Sequence, residues 1–369
     1  MKRAILFCSL AVSIAAHAVA APLTLTRDYT YHAGDADSKL SSRSIALEQT
    51  KRLLLEELGT YLVSNTIVRD AQLTKDEIVT YTAGAVVTVI LDEKWDGVTY
   101  YLKAKLTADP DDVARSLTAI KNDQERAAEL DQVRRQANDS LKEIERLKTE
   151  LAKAKQEPAS ATKPDQTVEL RRRYAEETGQ LAAKEFLDQG IVLQGDKKFD
   201  RAVEAFSRAI DLAPGWDRPY AGRGAAYVKL NNHAKAEKDL EHAGRLNPRN
   251  MVALSFHGVN LMKQGKKREG MAKIEQAVAA MPGNMALNAN MGWALLQMNQ
   301  PRTAIPFLTK AIDLSRRKNG RAYLLRARAF KQLGDHDKAR ADLAMAESLG
   351  ETPSQERNEL RMLPRRVRP

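Results

Sequence analysis

Cysteine is almost missing from this chain of 369 residues. The single one, Cys8, leaves no material for a disulfide framework, a cysteine zinc site or a CxxC redox pair. Aromatic residues make up only 5%, too few for a packed β-sandwich and in keeping with helices rich in Ala, Leu, Lys and Glu. Catalytic patterns are equally scarce. There is no G-x-S-x-G, and the histidines beyond the leader (His32, His233, His242, His257 and His336) form neither HExxH nor a close ligand pair. Gly265-Lys266 lacks the spacing of a phosphate loop and has Lys267 where Ser or Thr is required. Asp35, Asp37, Asp92, Glu93 and Asp96 offer oxygens for calcium, but they sit where helix caps and a hairpin turn are expected. The expectation is a non-enzymatic chain with no cofactor and no metal.

Long apolar runs are also rare, and the one that exists is terminal. Lys2 and Arg3 precede an uncharged, mostly apolar stretch from Ala4 to Ala16, followed by Ala18-Val19-Ala20 and then Ala21-Pro22. This is the pattern of a cleavable secretory leader, residues 1–20, and its apolar part is too short to span a bilayer. Elsewhere no stretch approaches eighteen consecutive apolar residues. The chain is therefore expected in the periplasm or secreted, with cleavage after Ala20. Losing Lys2 and Arg3 lowers the net charge from +11 to +9. Basic and acidic residues alternate through most of the sequence, and only the tail is one-sided, with Arg361, Arg365, Arg366 and Arg368. Export removes nucleic acid as an ordinary partner, while peripheral contact with a membrane stays open.

Periodicity divides the rest. Residues 21–110 begin with a Thr-, Leu- and Tyr-rich strand from Leu23 to Tyr31. A helix follows, with Leu40, Leu47, Leu54 and Leu58 at helical spacing and Gly59 near its expected end. Thr74 and Glu77 form a capping box before a short second helix that Gly84 can close. Val86 to Leu91 and Val98 to Leu106 flank Asp96-Gly97 as a hairpin. This β-α-α-β-β order, with the Leu53-Leu54-Leu55-Glu56-Glu57 run and the Gly84 strand entry, resembles the α/β domain of LPP20-type bacterial surface lipoproteins and of the N-terminal domain of flagellar assembly protein T.

Residues 111–156 read as a polar helix with a heptad seam. Leu130, Ala137, Ile144 and Leu151 take position a, and Val133, Ser140, Leu147 and Ala154 take position d. Three of the four flanking pairs are opposite in charge: Glu129/Arg134, Glu143/Lys148 and Glu150/Lys155. That arrangement suits a parallel homo-oligomeric coiled coil through residues 128–155. Residues 157–167, with Pro158 and Pro164, read as a linker, and 168–182 as a leading helix.

The strongest pattern lies in residues 183–353. Gly190, Gly224, Gly258 and Gly292 recur every 34 residues, as do Ala209, Ala243, Ala277 and Ala311, and Pro214, Pro248 and Pro282. A further series of small residues is Ala202, Ala236, Gly270 and Ala304, and a fifth repeat fits after a one-residue insertion near Asn319. This resembles the tetratricopeptide repeat. Small residues let the two helices of each pair approach, and the pairs must stack because none buries its apolar face alone. Thr352 to Pro364 suggests a capping helix before the basic tail, in residues 354–369. The fold class expected is mostly α, with a small α/β domain, a coiled-coil helix and an all-α solenoid.

The resemblance implies a groove lined by the first helix of each pair. Its candidate partner-binding residues here are Leu187, Ile191, Ala221, Ala225, Val228, Val259, Met262, Trp293 and Leu296. An apolar groove suits a helical or extended apolar peptide, unless the leading helix or the cap fills it. A coil followed by repeats in an exported chain is similar in order to periplasmic cell-division coordinators. The resulting expectation is a scaffold for a protein partner in the cell envelope, in envelope assembly or cell-division coordination. The alternative is a module that binds glycan, peptidoglycan or lipid headgroups through the α/β domain and Arg-rich tail.

Overall fold

The computed structural model describes residues 22–63, 73–82, 86–110, 113–114, 117, 124–156, 164–315 and 317–351. The leader, Gly84, most of the linker, and the cap with its basic tail lie outside these residues. The chain divides into two compact units, 1–181 and 182–369.

The first unit contains β1 (Leu23–His32), α1 (Lys39–Val63), α2 (Lys75–Thr82), β2 (Val87–Trp95), β3 (Thr99–Ala108) and α3 (Gln124–Gln156). The three strands form an antiparallel sheet in the order β1-β3-β2. Alternation on β3 puts Tyr100, Leu102, Ala104 and Leu106 into the core, where Leu54, Leu58 and Leu62 of α1 meet them. The capping box forms as expected: the Thr74 N–H donates to Glu77 at 2.7 Å and the Glu77 N–H donates back to Thr74 Oγ1 at 3.2 Å. Gly59 lies near the end of α1, which runs to Val63. A Cβ at Gly59 would sit 2.7 Å from Val79 Cγ2, so the glycine permits α2 to lie close.

Ile144 and Leu147, at a and d of the expected coiled coil, are 3% and 0% exposed and join the core of this same unit. Leu141 and Leu151 pack against that core as well. The apolar stripe of α3 is thus covered by its own chain at these positions, which corrects the expectation of a seam left open for a second copy.

The leading helix is not separate either. One helix, α4 (Pro164–Gly195), starts inside the expected linker and continues into the first helix of the repeats. Its Leu170, Tyr174 and Leu181 belong to the core of the first unit. Tyr174 and Tyr31 both donate to Asp37, at 2.5 and 3.0 Å, and Lys148 Nζ donates to Tyr31 Oη at 3.0 Å. Burial foremost raises both phenols above their ordinary pKa, with hydrogen bonds and charge from Asp37 adding in the same direction.

The second unit continues with α5 (Phe199–Leu212), α6 (Asp217–Lys229), α7 (His233–Leu246), α8 (Met251–Lys263), α9 (Lys267–Ala280), α10 (Met285–Gln297), α11 (Pro301–Leu314), α12 (Gly320–Gln332) and α13 (His336–Ser348). With the end of α4 these make five helix pairs. In the third pair a Cβ on Gly258 would lie 2.5 Å from the Gly270 carbonyl oxygen, and one on Gly270 would lie 2.4 Å from that of Gly258. Both glycines are needed for backbone contact between α8 and α9. The insertion near Asn319 is absorbed by a cap, in which the Asn319 side chain accepts from the Ala322 N–H at 3.0 Å.

Candidate partner-binding surface

The first helices of the five pairs present their residues through one recurring frame, so each candidate can be placed by its burial. Leu187, Ala221, Ala225, Val228, Val259, Met262 and Leu296 are all buried. Ala221, Val228, Val259, Met262 and Leu296 belong to a single core cluster shared by neighbouring repeats. The open apolar groove expected from the sequence is therefore largely closed by packing between successive first helices. Ile191 is exposed at 47%. Trp293 is half-buried and packs on the cluster that holds Met262, Leu296 and Leu325.

Polar groups share this side of the array. Ser255 is fully buried and accepts a hydrogen bond from Asn290 Nδ2 at 3.1 Å. Lys263 Nζ donates to the Val228 carbonyl at 3.1 Å and to Asn231 Oδ1 at 2.8 Å, and burial lowers its pKa. In the fifth repeat the equivalent of the Trp293 position is Arg328, and Arg321 lies about two turns before it. Both are half-buried. Burial pushes the Arg321 guanidinium below its ordinary pKa, Glu351 opposes this and Arg328 adds to it. The sequence reading missed this basic end because the groove positions were followed only through the four repeats in strict register. Extending the frame past the Asn319 insertion would have found Arg321 and Arg328.

The second face of the pairs is tied by charge. Arg223 binds Asp239 through two hydrogen bonds, at 2.7 and 2.9 Å, and donates a third to Ser207 of the preceding repeat at 2.9 Å. Arg326 repeats the arrangement with Asp342, at 2.7 and 2.8 Å, and with Thr309 at 2.9 Å. These groups fix helix pairs to each other and offer no reacting centre. In the first unit Asp37 and Asp96, weighed for calcium, are occupied likewise. Asp37 accepts from the Gly34 N–H at 2.7 Å, and Asp96 accepts from the N–H groups of Val98 and Thr99 at 2.8 and 2.6 Å.

A stack of antiparallel helix pairs at a 34-residue step, each pair closed by small residues, defines an α-solenoid. The chain carries tetratricopeptide repeats in its C-terminal half: models of that repeat match residues 218–250 and 289–356. It is 25% identical over 117 residues to the small glutamine-rich tetratricopeptide repeat-containing protein 2 of Mycosarcoma maydis, covering 32% of this chain and 33% of that protein. Over 150 residues it is 26% identical to the human protein O-mannosyl-transferase TMTC3, covering 36% of this chain and 16% of that one. The chain thus spans about a third or less of the curated relatives it matches. Among solved structures it is similar to a thermophilic TPR protein of Thermus thermophilus, with 18% identity, a TM-score of 0.41, and coverage of 48% and 95%. The pilF protein of Pseudomonas aeruginosa gives 18% identity and a TM-score of 0.37, with coverage of 47% and 78%. No described helix is long and apolar enough to cross a membrane.

Proposed function

We propose that the chain is an exported, non-enzymatic scaffold whose repeat array takes a protein partner in the cell envelope. The observation that carries this reading is the five-pair array itself, a fold that serves generally as a platform for protein contacts. The contact surface is narrower than a fully apolar groove. Exposed Ile191 and half-buried Trp293 provide apolar area, and Arg321 and Arg328 provide charge at the other end. A partner with an apolar segment and acidic residues suits that combination.

Photo-crosslinking in intact cells tests the reading. A crosslinker placed at Ile191, Trp293 or Arg328 should trap the same protein, and one at exposed Lys238 on α7 should not. Absence of protein adducts, together with retention of the chain on purified cell-wall sacculi, would turn the assignment to polymer binding.

A further inference from the structure

No histidine of the sequence has a second histidine at ligand spacing. Folding supplies a different ligand set for His257. Glu237 and Glu241 lie one turn apart on one face of α7, and His257 comes from α8, which packs against it. One donor atom from each of the three residues lies within 4.8 Å of the other two. His257 and Glu237 are half-buried, while Glu241 is exposed and leaves the group open to solvent.

The repeats themselves supply a reference. His257 occupies the frame position of Arg223 and Arg326, where a guanidinium fills the junction with the preceding repeat. Glu241 occupies the position of Ser207 and Thr309, which accept from those arginines. At this junction the built-in cation is gone, as it is where Met291 takes the same position in the fourth repeat, but here the preceding helix brings two carboxylates. The aspartate that pairs with arginine elsewhere is Lys273 here. The remaining contacts of the carboxylates are loose. Gln264 Nε2 donates to Glu237 at 3.5 Å, and Arg245 lies 3.9 Å from Glu241.

We propose that Glu237, Glu241 and His257 form a binding site for a divalent transition-metal cation of the zinc type, joining the second repeat to the third. One imidazole nitrogen and two carboxylate oxygens suit zinc, whose three protein ligands leave a position for water. Around zinc at about 2.1 Å, donor atoms stand roughly 3.4 Å apart, so donors already within 4.8 Å of one another are close to that spacing. Magnesium, which favours all-oxygen octahedral shells, fits less well. Burial, and then Lys273, lowers the His257 pKa against the opposing pull of Glu241, Glu237 and Glu269, and this favours the neutral imidazole that a metal requires. Lys273 is the charge that works against the cation, and it gives the test a second direction.

Titration calorimetry of the chelator-stripped full chain with zinc chloride should show one equivalent bound at neutral pH. Magnesium chloride should give no comparable heat. His257→Ala and the exposed Glu241→Gln should each weaken zinc at least tenfold, and Lys273→Met should tighten it. Cobalt(II) should give the visible absorption of a low-coordinate site, lost in both ligand variants. Circular dichroism of Glu241→Gln checks that a loss of binding is not a loss of fold. No stoichiometric binding, or unchanged zinc affinity in His257→Ala, would overturn the proposal.

Discussion

Lys197 in the first repeat and Glu351 at the end of the fifth are joined, Nζ to Oε2, at 3.2 Å, and the same ammonium donates to the Gly350 carbonyl at 2.9 Å. The two ends of the array therefore touch. Lys197 holds this contact from a left-handed backbone, φ 62°. The equivalent turn positions in the other repeats are Asn231, Gly265, Asn299 and Gly334, all likewise at positive φ and all residue types that tolerate it.

Replacing the lysine separates these two effects. Relief of the left-handed conformation in Lys197→Gly is worth about 1 kcal/mol. The ion pair is partly exposed and contributes less than about 1 kcal/mol. The variant should melt at the same temperature or slightly higher, while Glu351→Ala should melt slightly lower. Hydrogen exchange should quicken at Gly350 and Glu351 in both. A fall of several degrees in Lys197→Gly would mean that the end contact outweighs the strain.

The two arginine junctions should behave as independent copies. Asp239 and Asp342 are almost fully buried, and each takes two hydrogen bonds from its arginine. Asp239→Ala leaves the Arg223 guanidinium largely buried without its counter-charge, at a cost of about 3 kcal/mol. Asp342→Ala should cost a similar amount. Because the pairs lie in different repeats with no shared partner, the double variant should show the sum within about 0.5 kcal/mol in denaturant unfolding. A strongly non-additive result would mean that the array responds as one unit.

Asp96 sets an acid limit on the hairpin. Its carboxylate accepts from the Thr99 hydroxyl and from the N–H groups of Thr99 and Val98, and these bonds pull its pKa down to about 2. A carboxylate depressed on folding stabilises the fold above its unfolded pKa, near 3.8. That contribution declines below this value and is gone once the pH falls through about 2. Asp96→Ala should therefore melt lower than the parent chain at pH 7, and the gap should narrow between pH 4 and pH 2. A gap independent of pH would assign the loss to turn geometry instead of charge.

The repeat spacing was legible because its physics is local. Gly258 and Gly270 mark a close helix approach, and the structure puts backbone against backbone there. Thr74 with Glu77 and Asp96 with Gly97 were legible for the same reason, since a cap or turn closes within a few residues. What a face packs against is not local. The heptad spacing of α3 describes an apolar stripe equally well whether a second copy or the core of its own unit covers it. Candidate groove residues such as Ala221 and Ala225 are buried in the folded array, and burial of this kind depends on the neighbouring helices and not on the frame position alone. The grouping of His257 with Glu237 and Glu241 joins two helices of different repeats, and neither helix carries the pattern alone.

Ile144 decides between the two partners of that stripe. It is 3% exposed in the core of the first unit, alongside Leu147, Leu170 and Tyr174. Ile144→Asp removes a buried apolar side chain and places a carboxylate there with no counter-charge arranged for it, which should cost more than about 4 kcal/mol. That is a large part of the stability of a typical domain, about 5–15 kcal/mol. Hydrogen exchange should then lose protection across β1, α1, α2, β2, β3, residues 141–156 of α3 and residues 164–181 of α4, while helices α5 to α13 keep theirs. An intermolecular seam gives the opposite pattern. The variant would fall to a smaller mass in light scattering with the amides of β1, β3 and α1 still protected. That outcome would return α3 to the role of an oligomerisation helix.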